Sequence, residues 1–276
     1  MFKDKVVAIF GGSGSLGKGL LERIKDAQEI RIFSRSEAGQ LPLKAKYPDV
    51  KFILGDVRDL QAVKNAMRGV DIVIHAAAFK FLDVAEKQAR ACALTNVLGS
   101  INVIDAAMAE PSVKLCIGIS TDKVVNARNV YGASKHIMEK LFSEANENSD
   151  KIFTCVRYGN VRATTGSVLT VWERQKKEGK PLTITDKRMR RFFFSLDEAI
   201  DLIFHAIKHA KGGEVFAVKM PSYSIYEMAK EISDDIVEIG MRPGEKLNET
   251  LIGDYEQGGP YTSEESGNNE IVVIRP

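Results

Sequence analysis

Cysteine is scarce in this chain: Cys92, Cys116 and Cys155 are the only three among 276 residues. They are odd in number, widely spaced and without metal-type pairing. That argues against a disulfide framework and points to reduced, buried thiols, as in a cytoplasm. Histidine is almost as rare. His75 closes a strand and reads as structural, and His205 and His209 share a helix face without a third ligand, so no metal is expected. No apolar run reaches the roughly 20 residues that a membrane-spanning helix needs. Met1–Phe10 runs straight into a strand-like segment and lacks the apolar stretch and cleavage site of a signal peptide. An intracellular protein with no membrane partner is expected. Nor is there an excess of either charge: 39 Lys+Arg against 37 Asp+Glu leave a net +2, which gives no footprint for nucleic acid. Repeats and low-complexity blocks are absent.

What remains is an ordinary globular composition, 44% hydrophobic and 28% charged. Short apolar segments rich in β-branched residues recur at Lys5–Phe10, Glu29–Ser34, Val50–Leu54, Asp71–His75, Leu115–Ser120 and Ile152–Tyr158. Helical patterns separate them, among them Asn96–Met108 and Tyr131–Ala145. Apolar strands alternating with helices predict an α/β fold, a doubly wound parallel (Rossmann) sheet covered on both faces. The character changes afterwards. Residues 1–165 are expected to form the dinucleotide-binding domain. Residues 166–276 are expected to form a smaller C-terminal α/β substrate-binding domain, interleaved with the first around 193–213, where the amphipathic segment Leu196–His209 packs back.

Gly11, Gly14 and Gly17 form a GxxGxxG turn between the first strand and the first helix. Glycines there let the backbone turn tightly and approach a pyrophosphate at the positive end of the helix. An acid at the end of the second strand would bind the ribose 2′-hydroxyl of NAD. Here Ser34 and Arg35 hold that place, and a guanidinium suits the 2′-phosphate of NADP. NADP is favoured, and nearby Glu37 leaves NAD open. Asp56 follows the third strand, where it is placed to contact the adenine. Ala76, Ala77 and Ala78 follow the fourth, small enough for the cofactor to lie against the backbone.

Tyr131 and Lys135 make a Y-x-x-x-K pair, whose spacing puts both on one helix face. A phenol is a poor base at neutral pH. A nearby lysine cation is expected to lower its pKa so that it can take a proton from a substrate alcohol. Just upstream lies Ser120-Thr121-Asp122-Lys123.

With GGSGSLGKGL, HAAAFK, STDKVVNARNVYGASK, VRYGNV and RPGEKLNETLI, the chain resembles the extended short-chain dehydrogenase/reductase superfamily over most of its length. Within it, the STDK motif before Tyr131 looks like the inverting UDP-N-acetylglucosamine 4,6-dehydratases of polysaccharide biosynthesis. Retaining relatives carry glutamate where Lys123 stands. The resemblance implies a cofactor set that adds Ser13, Ser15, Leu16, Val57 and Asn96 to the residues above, with Tyr131 and Lys135. It implies Thr121 on the C4 oxygen, Asp122 as the acid that helps water leave C6, and Lys123, if neutral, as the base at C5. It further implies a UDP-sugar held by Lys80, Asn160, Thr183, Arg190 or Arg191, Arg242 and Glu245. The chain departs from relatives at Phe81, where they carry histidine, in the loop Ala163–Ser167, where they carry an arginine, and at Asn248. A homo-oligomer is implied, with the helices around Asn96–Met108 and Tyr131–Ala145 as its interface. Two other readings stay open: a UDP-sugar 4-epimerase, which keeps Tyr131 and Lys135 but skips elimination, and a non-catalytic NADP-binding regulator.

Overall fold

The computed structural model describes residues 1–162, 167–256, 261–262 and 269–275. The expected domain seam at residues 165 and 166 and the loop 163–166 lie outside them, as do 257–260 and 263–268 of the expected loop from Asp254 to Glu270.

The first six strands are β1 (Val6–Phe10), β2 (Glu29–Ser34), β3 (Lys51–Leu54), β4 (Ile72–His75), β5 (Leu115–Thr121) and β6 (Ile152–Tyr158). They pair in the order β6-β5-β4-β1-β2-β3, all parallel. The order reverses between β1 and β4, and their carboxyl ends open a crevice for ligands there. β4 and β5 are buried along their whole length, as strands covered by helices on both faces must be. Two later segments extend the same sheet: Val215–Lys219 runs parallel to β6, and Glu270–Ile274 runs antiparallel on its outer side. The helix Leu196–His209 packs on this sheet with Ala199, Ile200, Leu202, Ile203 and Ala206 in its core. A capping box of Ser195 and Glu198 starts it.

A second, smaller core gathers around Trp172, which is fully buried with Leu182, Ile184, Met189, Phe193 and Ile225. Its strands are Asn160–Val161, Arg190–Phe194 and Ser222–Ser224 in one sheet, and Leu182–Ile184 with Ile236–Glu238 in another. Arg190–Phe194 is a strand buried from Arg191 to Phe194. A run of three phenylalanines hides the period-2 pattern because both faces of this strand are covered.

Ala89–Ala109 forms a continuous helical stretch of 21 residues, apolar and long enough to cross a membrane by length and composition. Its polar residues Asn96, Ser100 and Asn102 kept it from reading as an apolar run, and all three are buried within the fold. A π-helical turn at Leu94–Leu98 interrupts it, a device that re-aims side chains next to a site.

Candidate functional site

A cavity of about 630 Å³ opens at the carboxyl ends of the parallel strands and continues between the two cores. At one end it is lined by Gly11, Ser13, Gly14, Ser15 and Leu16. Gly11 has φ +83°, and a Cβ there would lie 2.5 Å from the Ala77 nitrogen, so only glycine fits. Gly14 caps the helix Ser15–Arg23 without a side-chain hydrogen bond, and the first turn carries no acid. Its backbone N–H groups and positive dipole end therefore face the cavity unshielded, the donor set that a pyrophosphate requires. Gly17 does not line the cavity. A Cβ there would lie 2.0 Å from the Gly12 oxygen, so its glycine serves helix–strand packing.

Further along, Ser34, Arg35, Ser36, Val57 and Ala76 to Ala78 line the wall, and Glu37 does not. Ser36 caps the helix Glu37–Lys46, which takes Glu37 into its first turn. Asp56 is a correction: it does not face the cavity. Its carboxylate accepts from the Arg58 backbone at 3.0 Å and from the Arg58 guanidinium at 2.6 Å, with Arg35 at 3.7 Å. A cation two residues on pairs with it. Asn96 is likewise behind the wall. Its amide accepts from Phe79 N at 2.7 Å and donates to Phe79 O at 3.0 Å and to Ser134 Oγ at 2.9 Å, pinning the turn after β4 to the helix Val130–Glu147.

The catalytic candidates meet where β5 ends. Thr121, Lys123, Tyr131 and Lys135 line the cavity. Asn129 caps the helix Val130–Glu147, accepting from Gly132 N at 2.7 Å, and so fixes Tyr131 in its first turn. The Tyr131 hydroxyl hydrogen-bonds the Thr121 side chain. Burial pushes the phenol up to about 12, while the Lys123 charge and the Thr121 bond work against it. Lys123 is a cation acting on Tyr131. Lys135 Nζ instead donates to Ile119 O at 2.8 Å, and burial lowers its pKa to about 8.

Lys123 Nζ lies 2.8 Å from Asp122 Oδ1 and 3.7 Å from Glu249 Oε1. Burial alone would favour the neutral amine, but these two carboxylates outweigh it and hold the pKa above the ordinary lysine range. Asp122 is fully buried and does not line the cavity. Its Oδ2 has no hydrogen-bond partner and lies 3.3 Å from where a Cβ on Gly159, a wall residue, would stand. Burial first, and then Glu249, raise the Asp122 pKa, so the carboxyl is disposed to hold a proton. Glu249 is the residue that sequence reasoning missed. It stands 126 positions from Lys123, and no local spacing links them.

The far end carries Asn160, Thr183, Arg242 and Glu245, and Lys80 stands on the rim. Glu245 Oε2 accepts from Arg242 N at 2.9 Å, and Asn129 Nδ2 donates to Gly244 O at 3.0 Å, tying this turn to the cap beside Tyr131. Of the two neighbouring arginines, Arg191 faces the cavity and Arg190 does not. Arg190 turns to Ser222, 3.3 Å from its Oγ, because successive residues of a strand point to opposite faces.

The polysaccharide biosynthesis protein family matches residues 7–268. The chain is 41% identical over 276 residues to the UDP-N-acetylglucosamine 4,6-dehydratase (inverting) of Campylobacter jejuni, covering 96% of this chain and 82% of that one. It is also 41% identical over 273 residues to the UDP-glucose 4-epimerase of Rickettsia conorii, covering 93% and 80%. Among solved structures, Pen from Bacillus thuringiensis superposes with TM-score 0.92 at 34% identity, covering 97% of this chain and 96% of that one. A dTDP-glucose 4,6-dehydratase from Streptomyces venezuelae with NAD bound shares the fold, with TM-score 0.81 at 19% identity over 88% and 86%.

Proposed function

The chain belongs to the polysaccharide biosynthesis protein family, within the dinucleotide-dependent nucleotide-sugar dehydratases and epimerases, and from that premise we propose that it is a UDP-N-acetylglucosamine 4,6-dehydratase inverting C5. The observation that carries this reading is the buried Asp122–Lys123 pair, 2.8 Å apart, beside Tyr131. An epimerase needs only Tyr131 and its partners. Elimination needs a second acid and base. The 4-epimerase remains the second reading, favoured by relatives of equal identity.

A bound nicotinamide dinucleotide would be held by Gly11, Gly14, Ser15, Arg35 and Ala77, and it supplies reversible hydride transfer to the sugar. Tyr131, as the phenolate that the nearby Lys123 charge favours, accepts the proton of the C4 hydroxyl, with Thr121 holding the same oxygen. The C4 ketone acidifies the C5 proton. Moving one proton across the Lys123–Asp122 hydrogen bond gives an amine and a carboxylic acid. The amine takes the proton from C5, the acid gives its proton to the C6 hydroxyl, and water leaves as the C5–C6 double bond forms. The pair returns to ammonium and carboxylate; C6 would regain the hydride that the dinucleotide took from C4, and C5 takes a proton from solvent water on the opposite face. Arg242 would face the diphosphate, where a planar guanidinium donates two bonds at once. The same reading has a cytoplasmic homo-oligomer, with Leu98, Met108 and Ile137 as the exposed apolar residues of the expected interface.

NADP is proposed as the cofactor because Arg35 and Ser36 line the wall where Glu37 does not. Arg35→Ala is expected to weaken NADP roughly 10- to 100-fold, the value of a charge-assisted contact, and to leave NAD almost unchanged. Titration with both dinucleotides checks this, and equal losses for both would contradict it. For the reaction itself, incubation with UDP-N-acetylglucosamine should give a product lighter by one water. A C4 epimer of unchanged mass would return the epimerase.

A further inference from the structure

We propose that Glu249 is a positioning residue of the elimination: a buried carboxylate behind Lys123 that holds its ammonium between two oxygens and so fixes where the proton shared with Asp122 rests. The inference builds on the dehydratase reading, because it concerns the pair that distinguishes that reaction.

Glu249 is 2% exposed and does not line the cavity, and its ion-pair partners are lysines of the protein itself. It sits 3.7 Å from Lys123 Nζ and 3.2 Å from Lys246 Nζ. Lys246 is itself buried and donates to Val125 O at 2.7 Å, on the far side of the short turn Asp122–Val124. Arg191 adds a third cation, anchored by donating to Lys246 O and Leu247 O at 2.8 Å. The groups facing Lys123 are therefore Asp122 on its own turn, Glu249 with Lys246 from the C-terminal segment, Arg191 from the strand Arg190–Phe194, and Tyr131 from the helix Val130–Glu147. Buried charges in this number persist only when they compensate one another. Three cations face two carboxylates, and Glu249 is the only carboxylate besides Asp122 among them.

Its place decides the proton's resting position. With Glu249 ionised, the ammonium form of Lys123 is favoured. Without it, Asp122 alone offsets Arg191 at Lys123, and the amine gains ground. Geometry adds a mechanical part: Nζ drawn toward both carboxylates keeps its stem in one rotamer, aimed along the wall beside Tyr131.

The test measures the Lys123 amine directly and needs no turnover. The full-length protein, as purified, is pulse-labelled with acetic anhydride at mildly alkaline pH, and acetylation of Lys123 is followed by peptide mass spectrometry against the exposed Lys64. Only the neutral amine reacts. Glu249→Gln is expected to raise Lys123 labelling at least about tenfold, equivalent to one pH unit of titration. Glu249→Asp, which keeps the charge, should stay close to wild type. Should Glu249→Gln not fold, Lys246→Met reads the same field from the other side and should lower the labelling, because the Glu249 charge then turns wholly to Lys123. In a dehydratase assay, Glu249→Gln should change the pH dependence of kcat with little effect on KM. Equal Lys123 labelling in wild type and Glu249→Gln would overturn the proposal. So would unchanged labelling in Lys246→Met should Glu249→Gln be unobtainable. A chain that labels as expected but never releases water from any UDP-sugar would leave this electrostatic role standing and remove the dehydratase reading instead.

Discussion

Lys123→Met is expected to abolish water loss, with turnover falling by roughly 10²- to 10⁴-fold, the range for a removed general base. Sugar binding should survive, because Lys123 is one wall residue among several and the nucleotide contacts lie at the other end of the cavity. The substitution also leaves the interior electrically sound. Asp122, already disposed toward the protonated form by burial, takes up a proton, and Glu249 keeps Lys246 at 3.2 Å. A folded, ligand-binding and inactive variant is the expected outcome, checked by isothermal titration with UDP-N-acetylglucosamine beside a mass assay for dehydration. Loss of binding in parallel with loss of turnover would mean that Lys123 holds the sugar and does not carry its proton.

Tyr131→Phe carries the second large effect. Removing the hydroxyl leaves the ring in its place below the Asn129 cap, so the helix and the fold are expected to be unaffected. What disappears is the group that takes the C4 proton and the partner of Thr121. Without C4 oxidation, C5 is not acidified and elimination has no driving force. The loss should therefore reach the upper part of the same roughly 10²- to 10⁴-fold range, about 4–5 kcal/mol in the barrier. The two variants differ in a measurable way. On addition of the sugar, Lys123→Met should still oxidise C4 and reduce the bound dinucleotide, seen as nicotinamide absorbance, whereas Tyr131→Phe should not. Equal silence at C4 in both would mean that Lys123 also serves the oxidation.

Much of the site could be read in the sequence because it is local. The glycine turn, Arg35, the STDK run and the Tyr131/Lys135 pair each lie within one turn or one strand end, where spacing alone fixes relative placement. Residues that sequence reading misplaced depend on a neighbour that spacing does not show. Asp56 is taken by Arg58 two positions on. Asn96 serves the Phe79 backbone across a helix–loop junction. Arg190 and Arg191 exchange roles because strand parity decides which one faces inward, and the phenylalanine run obscures that parity. Glu249 reaches Lys123 only once the C-terminal segment folds over the end of β5. The same holds for Arg157, whose guanidinium bridges Glu139 at 2.6 Å and Glu256 at 2.8 Å. Glu139 in turn accepts from Ser120 beside the catalytic threonine. Long-range ion pairs of this kind tie the C-terminal segment to the catalytic strand and leave no periodic trace.

The most direct test of the central claim is to run the reaction with UDP-N-acetylglucosamine in heavy water and read the product by NMR. A 5,6-elimination through Lys123 and Asp122 predicts water loss, deuterium at C5, and a C5 coupling pattern changed to that of the inverted sugar. A product that retains its original C5 hydrogen, whether a C4 epimer or any other, would contradict it.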